Sequence, residues 1–280
     1  MTNTAKTLLV VGRQETGKTH YGVQLLGRLR QRSGKLSVRE NPESIAIFEE
    51  GLRVLSQGMP ADHTPTTSYD SVRFPLQFQH GQTIDLVWPD YGGEQISNLV
   101  EQRRLPTAWQ QRVLESSGWL LFIRLEHNIE YPDAQSRPAT LDSQQVEPQI
   151  TNFQWSANAF YTELLQILLY AKSTGTLSRV KNPSLVILLS CWDEIKLENE
   201  STKPFELLSQ RMPLFAEFIK SNWVQHNVAV FGLSSTGKAL SKKTPDYDYI
   251  PEDEGYVVLP DGSKSSDLTL PLSELIEQAI

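Results

Sequence analysis

The sequence has a single cysteine, Cys191, so no disulfide can form within the chain. Basic residues are also scarce, because 33 acidic side chains outnumber 26 basic ones and the formal net charge is -7. Generic binding to a nucleic-acid backbone needs a surplus of Lys and Arg, which argues against that class of partner. Long apolar runs are missing as well, and no stretch approaches the roughly 20 apolar residues of a membrane helix. We therefore expect a cytoplasmic protein that does not insert into membranes.

What the sequence does contain is an alternation of buried strands and amphipathic helices. The run Thr7–Val11, too short for the core of a signal peptide, predicts a strand that is apolar on both faces. Runs at 119–125, 184–190 and 228–234 predict further buried strands, and two runs joined at His80-Gly81 predict a hairpin. The pattern predicts an α/β fold with three layers, in which a mostly parallel central sheet carries one antiparallel hairpin strand.

We expect residues 1–280 to form a single domain, with insertions at about 40–63 and 126–153 and an irregular tail at about 239–270. The apolar stripes predict helices from Lys18 to about 32, over Pro42–Gln57, from about 94 to Ser117, over 156–172, over Phe205–Val224 and close to the C-terminus.

The stretch "GRQETGKT" matches the pattern G-x-x-x-x-G-K-[ST] and follows the first predicted strand. Such a loop wraps an anion in backbone N–H groups, while the following helix directs its positive end at the same phosphates. Lys18 would then bridge the β- and γ-phosphates, and the Thr19 hydroxyl would be a ligand of Mg²⁺. The predicted nucleotide-binding residues of this loop are Gly12, Arg13, Gln14, Glu15, Thr16, Gly17, Lys18, Thr19 and His20.

A second stretch, Gly232–Lys238, repeats the glycine and lysine spacing after another strand. Ala239 stands where a magnesium ligand would be needed, and no long amphipathic helix follows. We therefore do not predict a second phosphate loop there. Ser234 and Ser235 are instead predicted to belong to a loop that contacts the base.

The stretch "DYGGE" places Asp90 at a strand end, with Gly93 three residues later. In this position an aspartate supplies a carboxylate to the magnesium shell, and the glycine N–H meets the γ-phosphate. Upstream, Thr66 has the best spacing to close over magnesium and the γ-phosphate, although Thr64 and Thr67 are alternatives in the same polar loop. The predicted magnesium ligands are thus Thr19, Thr66 and Asp90.

The strand at 184–190 is followed by Cys191, Trp192 and Asp193. The Asp193 carboxylate would accept hydrogen bonds from guanine N1–H and from its exocyclic amine, whereas adenine would present an acceptor instead. Trp192 is a candidate to stack on the base. The alternative is that Asp193 only caps the next short helix.

The order of these motifs resembles the translation-factor/Ras class of P-loop GTPases, called TRAFAC. The closing "LTLPLSELI", the variant "SCWD" and the long mid-chain insertion look most similar to the double-GTPase group of bacterial conflict and antiviral defence systems. The resemblance implies a magnesium-dependent switch that cycles between GTP and GDP. It also implies a protein effector or regulator that binds in a nucleotide-dependent way.

Two departures from the class pattern stand at the site. Cys191 replaces the lysine that stacks on the base, and Glu94 replaces the glutamine that orients the attacking water. We therefore predict slow intrinsic hydrolysis, with Lys18, Glu94 and Thr66 as the catalytic residues. Arg103 and Arg104 are either charge-stabilising arginines or part of a solvated helix face. The alternative functions are an ATP-binding P-loop enzyme, such as a kinase, and a nucleotide-locked scaffold without turnover.

Overall fold

The computed structural model describes residues 6–32, 34–40, 46–61, 71–81, 83–89, 93–127, 155–174, 178–197, 199 and 201–278. Within these residues the strands are β1 (Lys6–Gly12), β2 (Leu36–Val38), β3 (Ser71–Phe78), β4 (Thr83–Pro89), β5 (Ser116–Ile123), β6 (Ser184–Ser190), β7 (Val228–Ser234), β8 (Tyr256–Val258) and β9 (Lys264–Ser265). The helices are α1 (Lys18–Gln31), α2 (Ala46–Leu55), α3 (Glu94–Gln102), α4 (Thr107–Glu115), α5 (Ala157–Ala171), α6 (Pro204–Arg211), α7 (Pro213–Asn222) and α8 (Leu270–Gln278).

The strands of the described residues join one sheet in the order β2-β3-β4-β1-β5-β6-β7-β8-β9. Its centre, from β4 to β7, is parallel, and antiparallel pairs extend it at both ends. This confirms the predicted α/β fold with a mostly parallel central sheet. The antiparallel part is larger than the single hairpin strand predicted. The strands β2, β8 and β9 have only two or three residues each, which is too short for a strand pattern to stand out in the sequence.

Helices cover both faces of the central strands, which gives three layers. Successive side chains of a strand point to opposite faces, and β1 shows the consequence. Leu8 and Val10 pack in the core shared with α1, α2 and α8, whereas Leu9 and Val11 pack in the core shared with α3 to α7. Burial on both faces explains why the central strands read as continuous apolar runs.

Two of the predicted helices are each divided by a proline. The helix predicted over Phe205–Val224 is α6 followed by α7, which begins at Pro213. The polar helix predicted to end near Ser117 is α3 followed by α4, which Pro106 precedes. Proline lacks the N–H that continues a helix, and its ring disfavours helical geometry in the residue before it. The prediction of single helices was wrong at both places for this reason.

The segment between β7 and β8, predicted as part of an irregular tail, crosses α1. Gln24 Nε2 donates to the Tyr249 hydroxyl at 3.1 Å, and Arg28 Nη2 donates to the Glu254 carbonyl at 2.5 Å. Burial of Arg28 under this segment lowers the pKa of its guanidinium. The tail is therefore tied to the helix that follows the glycine-rich loop, and it ends in β8, β9 and α8.

The predicted insertion at 126–153 lies almost wholly outside the described residues, and so do the first residues of the helix predicted over Pro42–Gln57. In the described part of the chain, no helix has both the length and the apolarity needed to cross a membrane.

Candidate functional site

The carboxyl ends of β1, β5, β6 and β7 meet at one edge of the sheet, because these neighbours run parallel. A cavity of about 300 Å³ lies at this edge. Such a crevice is the usual ligand position in open α/β sheets. It is lined by Gln14, Glu15, Thr16, Gly17, Lys18, Thr19, His20, Pro60, Ala61, Gly93, Glu94, Arg124, Ser190, Cys191, Asp193, Glu194, Ser235, Thr236, Ala239 and Leu240.

The loop between β1 and α1 is bent tightly around its own backbone. Glu15 and Gly17 adopt left-handed conformations, with φ of 60° and 76°. A Cβ added at Gly12 would lie 2.8 Å from Thr16 Oγ1 and 2.9 Å from Phe122 Cβ, so only glycine fits there. The buried Thr16 hydroxyl donates to the Arg13 carbonyl at 2.8 Å. Successive N–H groups in such a turn form a concave anion site.

The Lys18 ammonium group lies over this concave loop. Its Nζ donates to the carbonyls of Gly12 and Arg13 at 2.8 and 2.7 Å. The lysine is thus held at the loop on which the sequence places the phosphates. Thr19 follows in the first turn of α1 and lines the same cavity.

The two ends of the phosphate loop contact different parts of the chain. His20 Nε2 accepts a hydrogen bond from the Ala61 N–H at 3.2 Å, which links α1 to the segment after α2. The Arg13 guanidinium lies 4.7 Å from the centre of the Phe160 ring on α5. Arg13 therefore faces a second, smaller cavity behind the loop rather than the main one. Of the predicted loop residues, Gly12 and Arg13 shape the loop and the others line the main cavity.

The residues at the start of α3 pack against the phosphate loop. A Cβ added at Gly93 would lie 2.3 Å from the Gln14 backbone nitrogen. Glu94, the first residue of α3, is exposed and lines the cavity. The structure thus places Gly93 against the phosphate loop and Glu94 in the same cavity wall. Asp90, Thr64, Thr66 and Thr67 lie outside the described residues.

At the end of β6 the chain turns sharply through Cys191, which has a φ of 54°. Cys191 and Asp193 both line the cavity. Burial raises the pKa of the Cys191 thiol to about 12, and the carboxylates of Asp193 and Glu194 add to this while Arg124 opposes it. A neutral thiol therefore lies at the position where the resemblance implies a lysine.

The prediction that Trp192 stacks on a base is contradicted by its burial. The side chain is 2% exposed and belongs to the hydrophobic core. A Cβ added at Gly232 of β7 would lie 2.5 Å from Trp192 Cε3, so the indole fills the space that this glycine leaves. Since residues on either side of Trp192 point into the cavity, its own side chain points away from it.

The loop after β7 approaches the same cavity. Ser235 lines it together with Thr236, whereas Ser234 is fully buried and its hydroxyl has no hydrogen-bond partner among the described residues. Lys238 donates to the Asp246 carboxylate at 2.6 Å and lies over the Tyr249 ring. The lysine is directed at the tail, which agrees with the prediction that this stretch is not a second phosphate loop.

Several residues of the cavity wall were not predicted from the sequence, and two of them, Arg124 and Glu194, are charged. Arg124 follows β5 directly, and its Nη2 lies 2.7 Å from both carboxylate oxygens of Glu194. Its Nη1 donates to the Glu15 carbonyl at 3.2 Å. A charged residue at the carboxyl end of a buried parallel strand was the available signal. Arg103, which the sequence offered as a candidate charge-stabilising arginine, pairs with Glu163 at 2.8 Å and does not line the main cavity.

Solved structures with a similar fold include the Arl6 BBS3 small GTPase from Trypanosoma brucei, whose structure holds the nucleotide analogue GppNp. It is 11% identical, with 99% of this chain and 98% of that chain covered and a TM-score of 0.45. The GTP-bound Ski7 GTPase-like domain from S. cerevisiae is 13% identical, with 98% and 50% covered and a TM-score of 0.46.

No curated protein matches the chain. A family model does match it, and it spans both the phosphate loop and the loop after β7. That model is Double-GTPase 1, and it matches residues 9–275. The chain therefore belongs to the Double-GTPase 1 family.

Proposed function

We propose that the chain is a magnesium-dependent GTP-binding switch with slow intrinsic GTP hydrolysis, which regulates a partner protein. The observation that carries the proposal is that one cavity contains the phosphate loop with Lys18, the Asp193 carboxylate and Gly93. The phosphate loop follows β1, Asp193 follows β6 and Gly93 comes after β4. A nucleoside triphosphate needs all three features in one place. The family to which the chain belongs supports the same reading.

The phosphate end of the nucleotide is proposed to lie in the loop Gly12–Thr19. The carbonyls that accept from Lys18 are weaker partners than a phosphate, so its ammonium group would exchange them for β- and γ-phosphate oxygens. Magnesium, held by the Thr19 hydroxyl and in our proposal by Thr66 and Asp90, would offset the charge between these phosphates.

The base is proposed to lie between the loop after β6 and the loop after β7. Asp193 lines the cavity with Ser235, and both follow neighbouring parallel strands. A carboxylate there accepts from the two donors on the guanine edge, whereas adenine would leave the charge opposite an acceptor. We therefore propose GTP and GDP rather than ATP as ligands.

Hydrolysis is proposed to be slow because of Glu94. Water attacks the γ-phosphorus, the bond to the bridging oxygen breaks, and GDP and phosphate leave. The Glu94 carboxylate lines the cavity next to Gly93, where its negative charge opposes that of the γ-phosphate. Lys18 and Thr66 are proposed to stabilise the transferred phosphoryl group. A partner protein would supply the group that orients the attacking water.

The switch itself is proposed to involve Gly93 and the segment around Thr66. A ligand shifts a conformational equilibrium only through contacts that differ between the two states. The γ-phosphate would supply such contacts at Gly93, which packs against Gln14. We therefore propose that a protein effector binds the GTP form at least about ten-fold more tightly than the GDP form.

The nucleotide that remains bound through purification, identified by mass spectrometry, tests pocket, base and turnover together. We expect guanine nucleotide, with GDP present because hydrolysis is slow but not absent. Co-purified ATP or ADP would overturn the proposal in favour of an ATP-binding enzyme. GTP without any GDP, together with identical partner sets in pull-downs with non-hydrolysable GTP and with GDP, would indicate a nucleotide-locked scaffold instead.

A further inference from the structure

Arg124 stands where β5 ends, between the two loops that the proposed function assigns to phosphate and base. In the sheet β5 lies between β1 and β6, with Phe122 opposite Gly12 and Ile123 opposite Leu189. A long side chain at the next position therefore reaches the loop after β1 on one side and the loop after β6 on the other. Arg124 does both.

The planar guanidinium group of Arg124 contacts both loops at once. Its Nε donates to Glu194 Oε2 at 2.9 Å, its Nη2 lies 2.7 Å from Glu194 Oε1, and its Nη1 donates to the Glu15 carbonyl. The side chains of Arg124 and Glu194 are 18% and 27% exposed, so water competes only partly for this pair. Because the guanidinium is planar, fixing its carboxylate partner also fixes the direction of the remaining N–H groups.

The phosphate loop depends on this contact at Glu15. A residue other than glycine rarely adopts a φ near the 60° found there, and the surroundings must hold it. In a trans peptide the carbonyl and the next N–H point in opposite directions. The hydrogen bond from Arg124 to the Glu15 carbonyl therefore fixes the direction of the Thr16 N–H, one of the groups that would face a phosphate.

The base loop depends on the same contact at Glu194. The short 3-10 turn Trp192–Glu194 follows the left-handed Cys191 and carries Asp193 at its centre. Ser190, at the end of β6, donates its hydroxyl to the Ile123 carbonyl at 3.3 Å, which ties the start of this turn to the end of β5. Holding Glu194 against Arg124 fixes the last residue of the turn, and thereby the direction of the Asp193 side chain.

We propose that Arg124 and Glu194 are positioning residues that couple the phosphate loop to the base loop, so that discrimination for guanine requires their ion pair. The inference rests on the proposed function, since it concerns how that site selects its nucleotide. Without the pair, Asp193 and the phosphate loop would each remain, but their relative positions would no longer be set.

The test compares GDP with IDP, which lacks the exocyclic amine that Asp193 is proposed to accept from. Displacement of a fluorescent GDP analogue gives the ratio of the two dissociation constants in the wild-type chain and in Arg124→Gln, Glu194→Gln and the double variant. ADP is included as a competitor for the wild-type chain, and single-turnover GTP hydrolysis is measured for every chain. We expect the wild-type preference for GDP to fall at least about five-fold in all three variants, by the same factor because one link is broken each time. Arg30→Gln, which breaks the Arg30–Glu49 ion pair, should leave the ratio unchanged.

Each other outcome overturns the inference in a recognisable way. GDP and IDP weakened equally would mean that the pair only stabilises the fold, and Arg124→Lys provides a milder variant if the Gln variants do not fold. If the ratio of GDP to IDP dissociation constants is unchanged but GTP hydrolysis is slower in the Arg124 variant, Arg124 instead stabilises the negative charge of the transferred phosphoryl group. A wild-type chain that does not distinguish GDP from ADP would overturn the proposed function, and this inference with it. A wild-type chain that prefers GDP to ADP, but whose ratio of GDP to IDP dissociation constants is the same in the variants, would overturn this inference only.

Discussion

Gly93 packs so closely against Gln14 that a Cβ at Gly93 would lie 2.3 Å from the Gln14 backbone nitrogen. This contact joins the segment that follows β4 to the phosphate loop. It involves backbone on both sides, which cannot move away as the end of a side chain can. The position is thus available only to glycine while the two segments remain together.

Gly93→Ala should therefore separate the segment that follows β4 from the phosphate loop. We expect the affinity for non-hydrolysable GTP to fall at least about ten-fold and that for GDP to change much less, because only GTP has the γ-phosphate that the Gly93 N–H would meet. Calorimetric titration with both nucleotides measures this difference. Gly27→Ala on α1, where the nearest atom to an added Cβ is Leu52 Cδ1 at 3.9 Å, is the matched control. Equal losses for GTP and GDP would contradict a role for Gly93 in sensing the γ-phosphate.

Lys18→Ala removes the ammonium group at the concave loop, where the Lys18 Nζ lies 2.7 Å from the Arg13 carbonyl. We expect GTP affinity to fall by at least about 100-fold, because the β- and γ-phosphates lose a charge-assisted partner. Thr19→Ala should weaken binding chiefly when magnesium is present. Calorimetry with and without magnesium separates the two effects, and Lys220→Ala on α7 serves as the control. Unchanged affinity in Lys18→Ala would remove the phosphate site from this loop.

Asp193→Asn exchanges a carboxylate that accepts twice for an amide with one acceptor and one donor group. Guanine should then bind at least about ten-fold more weakly, and xanthine, which has a carbonyl in place of the amine, should bind better. Competition between GDP, XDP and ADP reports this change. Asp261→Asn, a carboxylate in the turn before β9 that does not line the cavity, controls for the lost charge. If GDP and ADP compete equally at the wild-type site, Asp193 does not select the base.

Glu94→Gln removes a negative charge from the cavity and supplies an amide that can orient water. We expect single-turnover GTP hydrolysis to become faster by about three- to ten-fold, which corresponds to a modest lowering of the barrier. Glu101→Gln, an exposed change on the same helix α3, should have no effect. A slower reaction in Glu94→Gln would show that the carboxylate acts as a general base.

The Cys191 thiol offers a test that depends on pH. Burial raises its pKa to about 12, so the thiolate is scarce near neutral pH. Alkylation of the native chain should be at least about 100-fold slower than that of the urea-unfolded chain at pH 8, and the rate should keep rising without a plateau up to pH 10. For the same reason, this group contributes stability that is present below its unfolded pKa and is lost as the pH rises through the folded value. A plateau near pH 9 in the native chain would contradict the burial of this thiol.

The features that the sequence by itself determined are those whose residues are contiguous. Gly12–Thr19 needs only its own backbone and the adjoining strand and helix, so the pattern of glycines and Lys18 was sufficient to predict the loop. The runs that became β1, β5, β6 and β7 were equally clear, because burial on both faces requires an unbroken apolar stretch. The hairpin of β3 and β4 followed from one short turn. These are local consequences of composition and spacing.

The tertiary structure decided which distant residues meet. Arg124 and Glu194 are 70 positions apart and pair only because β5 and β6 are neighbours in the sheet. The burial of Trp192 required the space that Gly232 leaves on the next strand. The residues around Trp192 in the sequence do not predict that this glycine lies beside it. Side-chain direction at a strand end depends on the space left by the neighbouring strand, and that space is set by strand order rather than by local sequence. For this reason the loop between β1 and α1 could be located from the sequence, whereas the pairing of Arg124 with Glu194 and the burial of Trp192 could not.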